Sequence, residues 1–385
     1  MVSSTSAAVP RRHLTITPAS VIVVCVAALV SIGLVVLFSA SSPIKGGPYA
    51  YLYKQFIFLG LAIGCGWLAA RVDLEQLRKF AWPIMGLALF GLLLVLLVGV
   101  SVNGSRRWLG YGSARLQVSE FAKLAMVFAL AHYLAINQSR IHEFVKGFVL
   151  PCAIIGAFGL LTIAEPDYGA AALFGAIGLI MLFLAGARLK FLLPCVIAVV
   201  SGFVVLVLFN PVRLQRVLSF LHPEAHKQDT GYQPYQALIA LASGGVDGVG
   251  LGNGRQQNAF LPEAHTDYIF AILGEEMGLI CTLLVVVLFL TIFVAGLLHV
   301  RRAPNLFQFL LVTGCILLIS MQAIINLGVV TSLLPSKGMA LPFISAGGSN
   351  LLLMGFLVGI IINSARSWER PKPLLRKRSL TEVVA

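Results

Sequence analysis

Apolar stretches of about 20 residues, long enough to cross a bilayer core as a helix, recur along this chain from one end to the other. They cover 20–39, 51–70, 80–100, 118–138, 146–163, 168–185, 191–209, 268–300, 306–330 and 351–362. Composition agrees: 58% of residues are hydrophobic and 11% charged, against roughly 25% charged in soluble domains. The expected fold is an all-α polytopic membrane protein of about ten transmembrane helices. The first run is too long for the apolar core of a secretory leader, and more spans follow it, so it is expected to stay as a span. The longest polar stretch, 210–267, is too short to hide a soluble domain.

Lysine and arginine set the expected orientation. With the N-terminus in the cytoplasm and the spans alternating, seventeen basic residues fall inside and nine outside. Both termini are therefore expected in the cytoplasm. Residues 1–19 read as a cytoplasmic tail, 20–365 as the transmembrane domain, and 366–385 as a basic cytoplasmic tail. Residues 210–266 read as a large extracytoplasmic loop between the seventh and eighth helices. The net charge of +13 does not call for nucleic acid, because bases beside helix ends answer to anionic lipid headgroups. The nine outer bases are the better clue, since an anionic ligand outside would account for them. The six cysteines lie in apolar runs without CxxC spacing and read as small packing residues.

Four outer segments are too polar or too rich in glycine to be mere connectors. The first runs from Asn103 through Arg106, Arg107 and Trp108 to Glu120 and Lys123. Glu120 and Lys123 are three apart and share a helix face. They can form a structural ion pair or line a substrate cavity, as intramembrane charges often do. Arg106, Arg107 and Trp108 can bind a ligand or anchor the chain at the interface. The second is the turn Glu165-Pro166-Asp167-Tyr168-Gly169, which alone says little. The third joins a helix expected to lie in the interface over 211–221, the Gly231-Tyr232-Gln233 turn and a glycine-rich run, 244–254. That run lacks the GK[ST] of a P-loop and the strand–helix context of a dinucleotide fingerprint. Its glycines are better explained by flexibility and close helix contact.

The fourth segment carries His265, Thr266, Asp267, Glu275 and Glu276 into the eighth span. At about 1.5 Å per residue, Glu275 lies about 12 Å deeper than Asp267. The two stand about 80° apart round the helix, so both are expected to border one cleft, whereas Glu276 points away. Asp267 can serve as a helix N-cap, and capping does not exclude catalysis. Before the last span, 335–350 is broken by proline and glycine, and it includes Lys337, Ser345 and Ser349. Non-helical backbone near membrane depth is tolerated where it lines a cavity.

In this order, the stretches NGSRRW, SEFAK, EPDYG, GYQ, GLGNG, LPEAHTDYIFAILGEEMG and LPSKGMALPFISAGGS resemble the SEDS family (shape, elongation, division and sporulation) across about residues 20–365. Within it the chain is similar to the division-type branch, chiefly through Lys337. Val118, Gln257, Ala346 and Asn350 depart from the family's usual proline, lysine, tyrosine and serine.

The resemblance implies processive polymerisation of lipid II into β-1,4-linked glycan at the outer leaflet, in septal cell-wall synthesis. Inverting transfer from a polyprenyl diphosphate needs a base for the acceptor hydroxyl and cations for the leaving group. Asp267 is the candidate base, and Lys337 with Arg106, Arg107 or Lys123 the candidate cations. Glu120, Tyr232, Gln233, His265, Thr266, Glu275, Ser345 and Ser349 complete the expected substrate-binding set. A divalent cation, Mg or Mn, could assist, although no ligand cluster requires one. The implied partners are a class B penicillin-binding protein, other division proteins of the membrane, and membrane lipids. A lipid II flippase or a non-enzymatic scaffold that recruits a transpeptidase are the alternatives. Neither needs a base at Asp267.

Overall fold

The structure, a computed structural model, describes residues 17–42, 47–102, 105–111, 114–221, 231–258 and 260–368. Most of both tails, Lys45, Asn103 and Lys227 lie outside the described residues.

Each of the ten apolar runs is helical. They form α1 (Pro18–Ala40), α2 (Gly47–Ala69), and, after a short α3 (Leu74–Arg78), α4 (Ala81–Val98) and α5 (Val118–Ile136). A π-helical turn, Val145–Val149, leads into α6 (Leu150–Ala164), followed by α7 (Tyr168–Leu184) and α8 (Leu189–Leu208). After α9 (Pro211–Leu221) and α10 (Tyr232–Gly244) come α11 (Ile269–Val300), α12 (Leu306–Val330) and α13 (Gly348–Trp368). Eight of these segments are long and apolar enough to cross a membrane; Tyr168–Leu184 and Leu189–Gly202 are shorter apolar helices. Local signals start several of them. Thr17 and Ser20 form a reciprocal capping box at α1, with Pro18 in the first turn. Asn305 caps α12 through the Gln308 amide.

Three helices, α5, α12 and α13, are buried along most of their length and form the interior. By contrast α2 and α4 leave most of their apolar surface open, including Phe56, Trp67, Phe90 and Leu97. Such a surface suits hydrocarbon. α2 packs closely on α13, where Gly66 meets the backbones of Gly355 and Gly359 and any larger side chain would clash. Long-range contacts separate the connections into two ends. Glu75 meets Asn305 and Gln308 at one end, whereas Arg107 meets Pro166 and Gln117 meets Ser349 at the other. Alternating spans require that separation.

Three features of the connections were not legible as sequence. The connector after α4 is a three-stranded antiparallel sheet, β1 (Val100–Val102), β2 (Ser105–Tyr111) and β3 (Ala114–Gln117). Within the 210–266 loop, α9 forms as expected, but α10 is an additional helix packed on α11 and α12. Finally, α11 is broken at Gly278, whose φ of 71° is left-handed. The glycine-rich segment enters that break. Val249 and Gly250 donate to the carbonyls of Glu275 and Glu276, both at 3.0 Å, and Leu279 donates to the Gly245 carbonyl at 3.0 Å. A side chain at Gly244 or Gly248 would strike the α11 backbone. Close helix contact is thus what these glycines provide, and the interrupted backbone is satisfied within the protein.

Candidate active site

Five segments meet at the end of the bundle that carries the sheet: β2, the α6–α7 turn, the start of α5, residues 263–268, and the broken stretch 331–347. Strand alternation decides what β2 contributes. Arg107 is half-buried and its Nη2 donates to the Pro166 carbonyl at 2.6 Å. Arg106, one residue away, points to the other side and is exposed. Of the two expected arginines, Arg107 is the one held against the α6–α7 turn. The Arg107 Nε is buried without a partner among the described residues.

The α6–α7 turn, which said little as sequence, supplies two buried carboxylates. Asp167 caps α7 through the Ala170 amide at 3.2 Å, and Pro166 adopts a positive φ of 33°. Glu165 is fully buried, and neither of its oxygens has a hydrogen-bond partner among the described residues. Burial, reinforced by the neighbouring Asp167, raises its pKa to about 8 despite Arg107. Lys337 lies directly over Gly169, at the start of α7, where only a glycine leaves room for its ammonium end. Burial lowers the Lys337 pKa to about 8; Asp167 opposes that, while Arg107, Lys123 and Arg216 add to it.

Asp267 sits at the mouth of α11, half-buried. Burial and then Glu263 raise its pKa to about 6, with Arg107 pulling the other way. It is not the α11 N-cap: Tyr268 holds that position, and no side chain caps the helix. The carboxylate packs against Gly338, the neighbour of Lys337. Asp267, Lys337, Arg107 and Asp167 therefore occupy one small region of mixed charge.

The remaining expected residues divide by position. Glu120 and Lys123 form a buried ion pair at 2.7 Å. Lys123 also donates to Gln322 at 3.2 Å, and Glu120 accepts from Asn350 at 3.0 Å, so the pair ties α5 to α12 and α13. Ser345 and Ser349 are buried and act as latches: Ser345 Oγ donates to the Thr266 carbonyl at 2.5 Å, and Ser349 Oγ accepts from the Gln117 amide at 3.0 Å. The His265 carbonyl accepts from Ala346 at 3.0 Å, while its ring meets Tyr51 edge-on. Tyr232 and Gln233 open α10, whose Pro234 shares a small cavity with Arg216, Ser219 and Ser336.

Glu275 is a correction. It was expected to border a cleft with Asp267, but it is buried and its Oε1 accepts from the Arg255 amide at 2.8 Å. Its Oε2 accepts from Gln256 at 3.2 Å. Glu276 does likewise for Gly252 at 3.0 Å and Gln257 at 3.0 Å. Two adjacent carboxylates thus clamp the glycine-rich segment because its free amides need acceptors at membrane depth. No helical-wheel angle could anticipate that loop.

Among the described residues, no three His, Cys, Asp or Glu side chains gather as metal ligands. A divalent cation here would take most of its shell from water and from the oxygens of a bound diphosphate.

Residues 19–369 match the family model for the cell cycle proteins FtsW, RodA and SpoVE. The chain belongs to the FtsW/RodA/SpoVE family. It is 40% identical to a probable peptidoglycan glycosyltransferase FtsW of Coxiella burnetii, over 90% of this chain and 96% of that one. It is 37% identical to the stage V sporulation protein E of Bacillus subtilis, over 91% and 97%. Among solved structures it resembles a chain of a peptidoglycan synthase complex that coordinates polymerization and crosslinking, with a TM-score of 0.76, 26% identity, and 91% and 98% coverage. Thermus thermophilus RodA gives a TM-score of 0.68 at 26% identity, over 91% and 97%. The division-type resemblance of the sequence accords with the FtsW relatives.

Proposed function

We propose that this protein is a peptidoglycan glycosyltransferase that polymerises lipid II on the outer face of the cytoplasmic membrane, in septal wall synthesis. One observation supports it above the others: a carboxylate with a raised pKa, Asp267, lies beside the lysine loop and faces the arginine of β2. In this reading the acceptor sugar's hydroxyl attacks the anomeric carbon of the polyprenyl-linked sugar from the face opposite the diphosphate. Asp267 takes the hydroxyl proton as the new C–O bond forms and the bond to diphosphate breaks. Lys337 and Arg107 hold the departing negative charge. Asp167, in a turn that said little as sequence, favours the charged form of Lys337, while Glu165 lies buried in the same turn as a largely protonated acid. Lys123 supports the floor of the site from within its ion pair.

FtsW-named relatives and the synthase-complex neighbour support a class B penicillin-binding protein as partner. The flippase reading leaves Asp267 without a role, and the scaffold reading leaves both Asp267 and Lys337 without one. The test is glycan formation from purified lipid II by the wild type and Asp267→Asn, each alone and with a cognate class B penicillin-binding protein. The wild type should polymerise. Asp267→Asn should bind lipid II but polymerise about 10²–10⁴-fold more slowly. Equal rates would remove the base and return the flippase to first place.

A further inference from the structure

The general base and the lysine loop belong to segments about seventy residues apart, and one side chain joins them. Asn326 on α12 is 1% exposed. Its amide nitrogen donates to the Asp267 carbonyl at 2.8 Å and to the Met339 carbonyl at 2.6 Å. Met339 lies two residues beyond Lys337. Neither carbonyl belongs to a helix ladder: α11 begins at Ile269, and 331–347 contains no regular element. Both residues are half-buried, where a carbonyl left without a donor is costly. An amide NH₂ carries two hydrogens in one rigid plane. Serving two carbonyls therefore fixes where they stand relative to each other.

One turn earlier on the same face, Gln322 repeats the arrangement. Its Nε2 donates to the Ala340 carbonyl at 3.0 Å, and its Oε1 accepts from Lys123. Residues four apart on a helix project together, so α12 presents a short ladder of amides to the lysine loop.

We infer that Asn326 is a positioning residue for glycan polymerisation, setting the separation between the Asp267 carboxylate and the Lys337 ammonium through their backbones. The inference rests on Asp267 being the base. Displacement of a reacting group by about 1 Å can cost about 100-fold in rate. Loss of both hydrogen bonds frees two segments to drift by that order.

The experiment measures polymerisation of purified lipid II per folded molecule, with lipid II affinity and the pH dependence of kcat/KM. Asn326→Leu keeps the volume and removes both donors; Asn326→Asp keeps the shape and puts oxygen where NH₂ was; Asn326→Ser leaves a single donor. The expected result is a kcat reduced about 10- to 100-fold in the first two and by less in Asn326→Ser, with affinity within about threefold. The acidic limb of the pH profile should also move, which a purely structural residue would not cause. Wild-type kcat per folded molecule in any of these that accumulates, with an unmoved acidic limb, overturns the inference. A control separates the two assignments. If Asp267→Asn is itself fully active, the base reading fails. If Asp267→Asn is inactive and Asn326→Leu is fully active, only the positioning role fails. Asn326→Leu added to Asp267→Asn should cause little further loss.

Discussion

Gly338 packs so closely against the Asp267 carboxylate that a Cβ there would overlap Oδ2. The contact places the segment that bears the base and the loop that bears Lys337 within van der Waals reach. Gly338 is absent from the residues with positive φ, so alanine is allowed by the backbone and disallowed only by the carboxylate. Gly338→Ala should leave membrane abundance near normal, because the carboxylate can swing aside. The swing should lower lipid II polymerisation by about 100-fold, the usual cost of an ångström of misplacement. A wild-type rate would mean that the position of the carboxylate is unimportant.

The pH dependence follows from the directions of the two shifts. A base must be ionised, so activity should fall as pH drops through about 6, where Asp267 takes up its proton. A cation must be protonated, so activity should fall again as pH rises through about 8, where Lys337 loses its charge. The plot of kcat/KM against pH should therefore be a bell with limbs near those values. Glu165 also titrates near 8, and Glu165→Gln separates the two. If Lys337 governs the alkaline limb, that variant keeps it; if Glu165 governs it, the limb disappears.

Gly169 makes Lys337 testable without touching it. Lys337→Ala should strongly reduce polymerisation while the protein stays in the membrane in normal amounts. Gly169→Ala would place a methyl group where the ammonium end of Lys337 lies. It should reproduce much of that loss, and adding it to Lys337→Ala should cost little more, because contacting residues do not contribute additively. Full activity in Gly169→Ala would show that Lys337 acts equally well from another position.

The Glu120–Lys123 pair should behave as a buried structural contact. Each member has a second partner, Asn350 or Gln322. Replacing one alone by a neutral residue strands the other, at about 3–5 kcal/mol. Glu120→Gln or Lys123→Met should therefore lower abundance and melting temperature, and the double variant should recover part of both. A double-mutant cycle on melting temperature checks this. Strict additivity would point to two independent roles.

The sequence alone determined the bundle. Twenty-residue apolar runs separated by polar turns form helices in lipid, so a helical membrane bundle and the approximate limits of its apolar helices were legible. Asp267 also stood out as a polar residue at the mouth of a span, and Lys337 through the resemblance to the SEDS family. The tertiary structure decided which neighbours each residue has. Arg107 is half-buried against the α6–α7 turn and Arg106 is exposed, because β2 alternates its side chains, and no apolar run revealed a strand there. Glu275 turned from cleft residue to clamp once the glycine-rich segment was seen inside the break at Gly278. Glu165, Asp167, Gln322 and Asn326 gained their meaning only when α7 and α12 met the lysine loop. Burial along a helix repeats with a local period, which sequence displays. A hydrogen bond between residues 59 or 230 positions apart depends on how helices pack, and no local pattern encodes that.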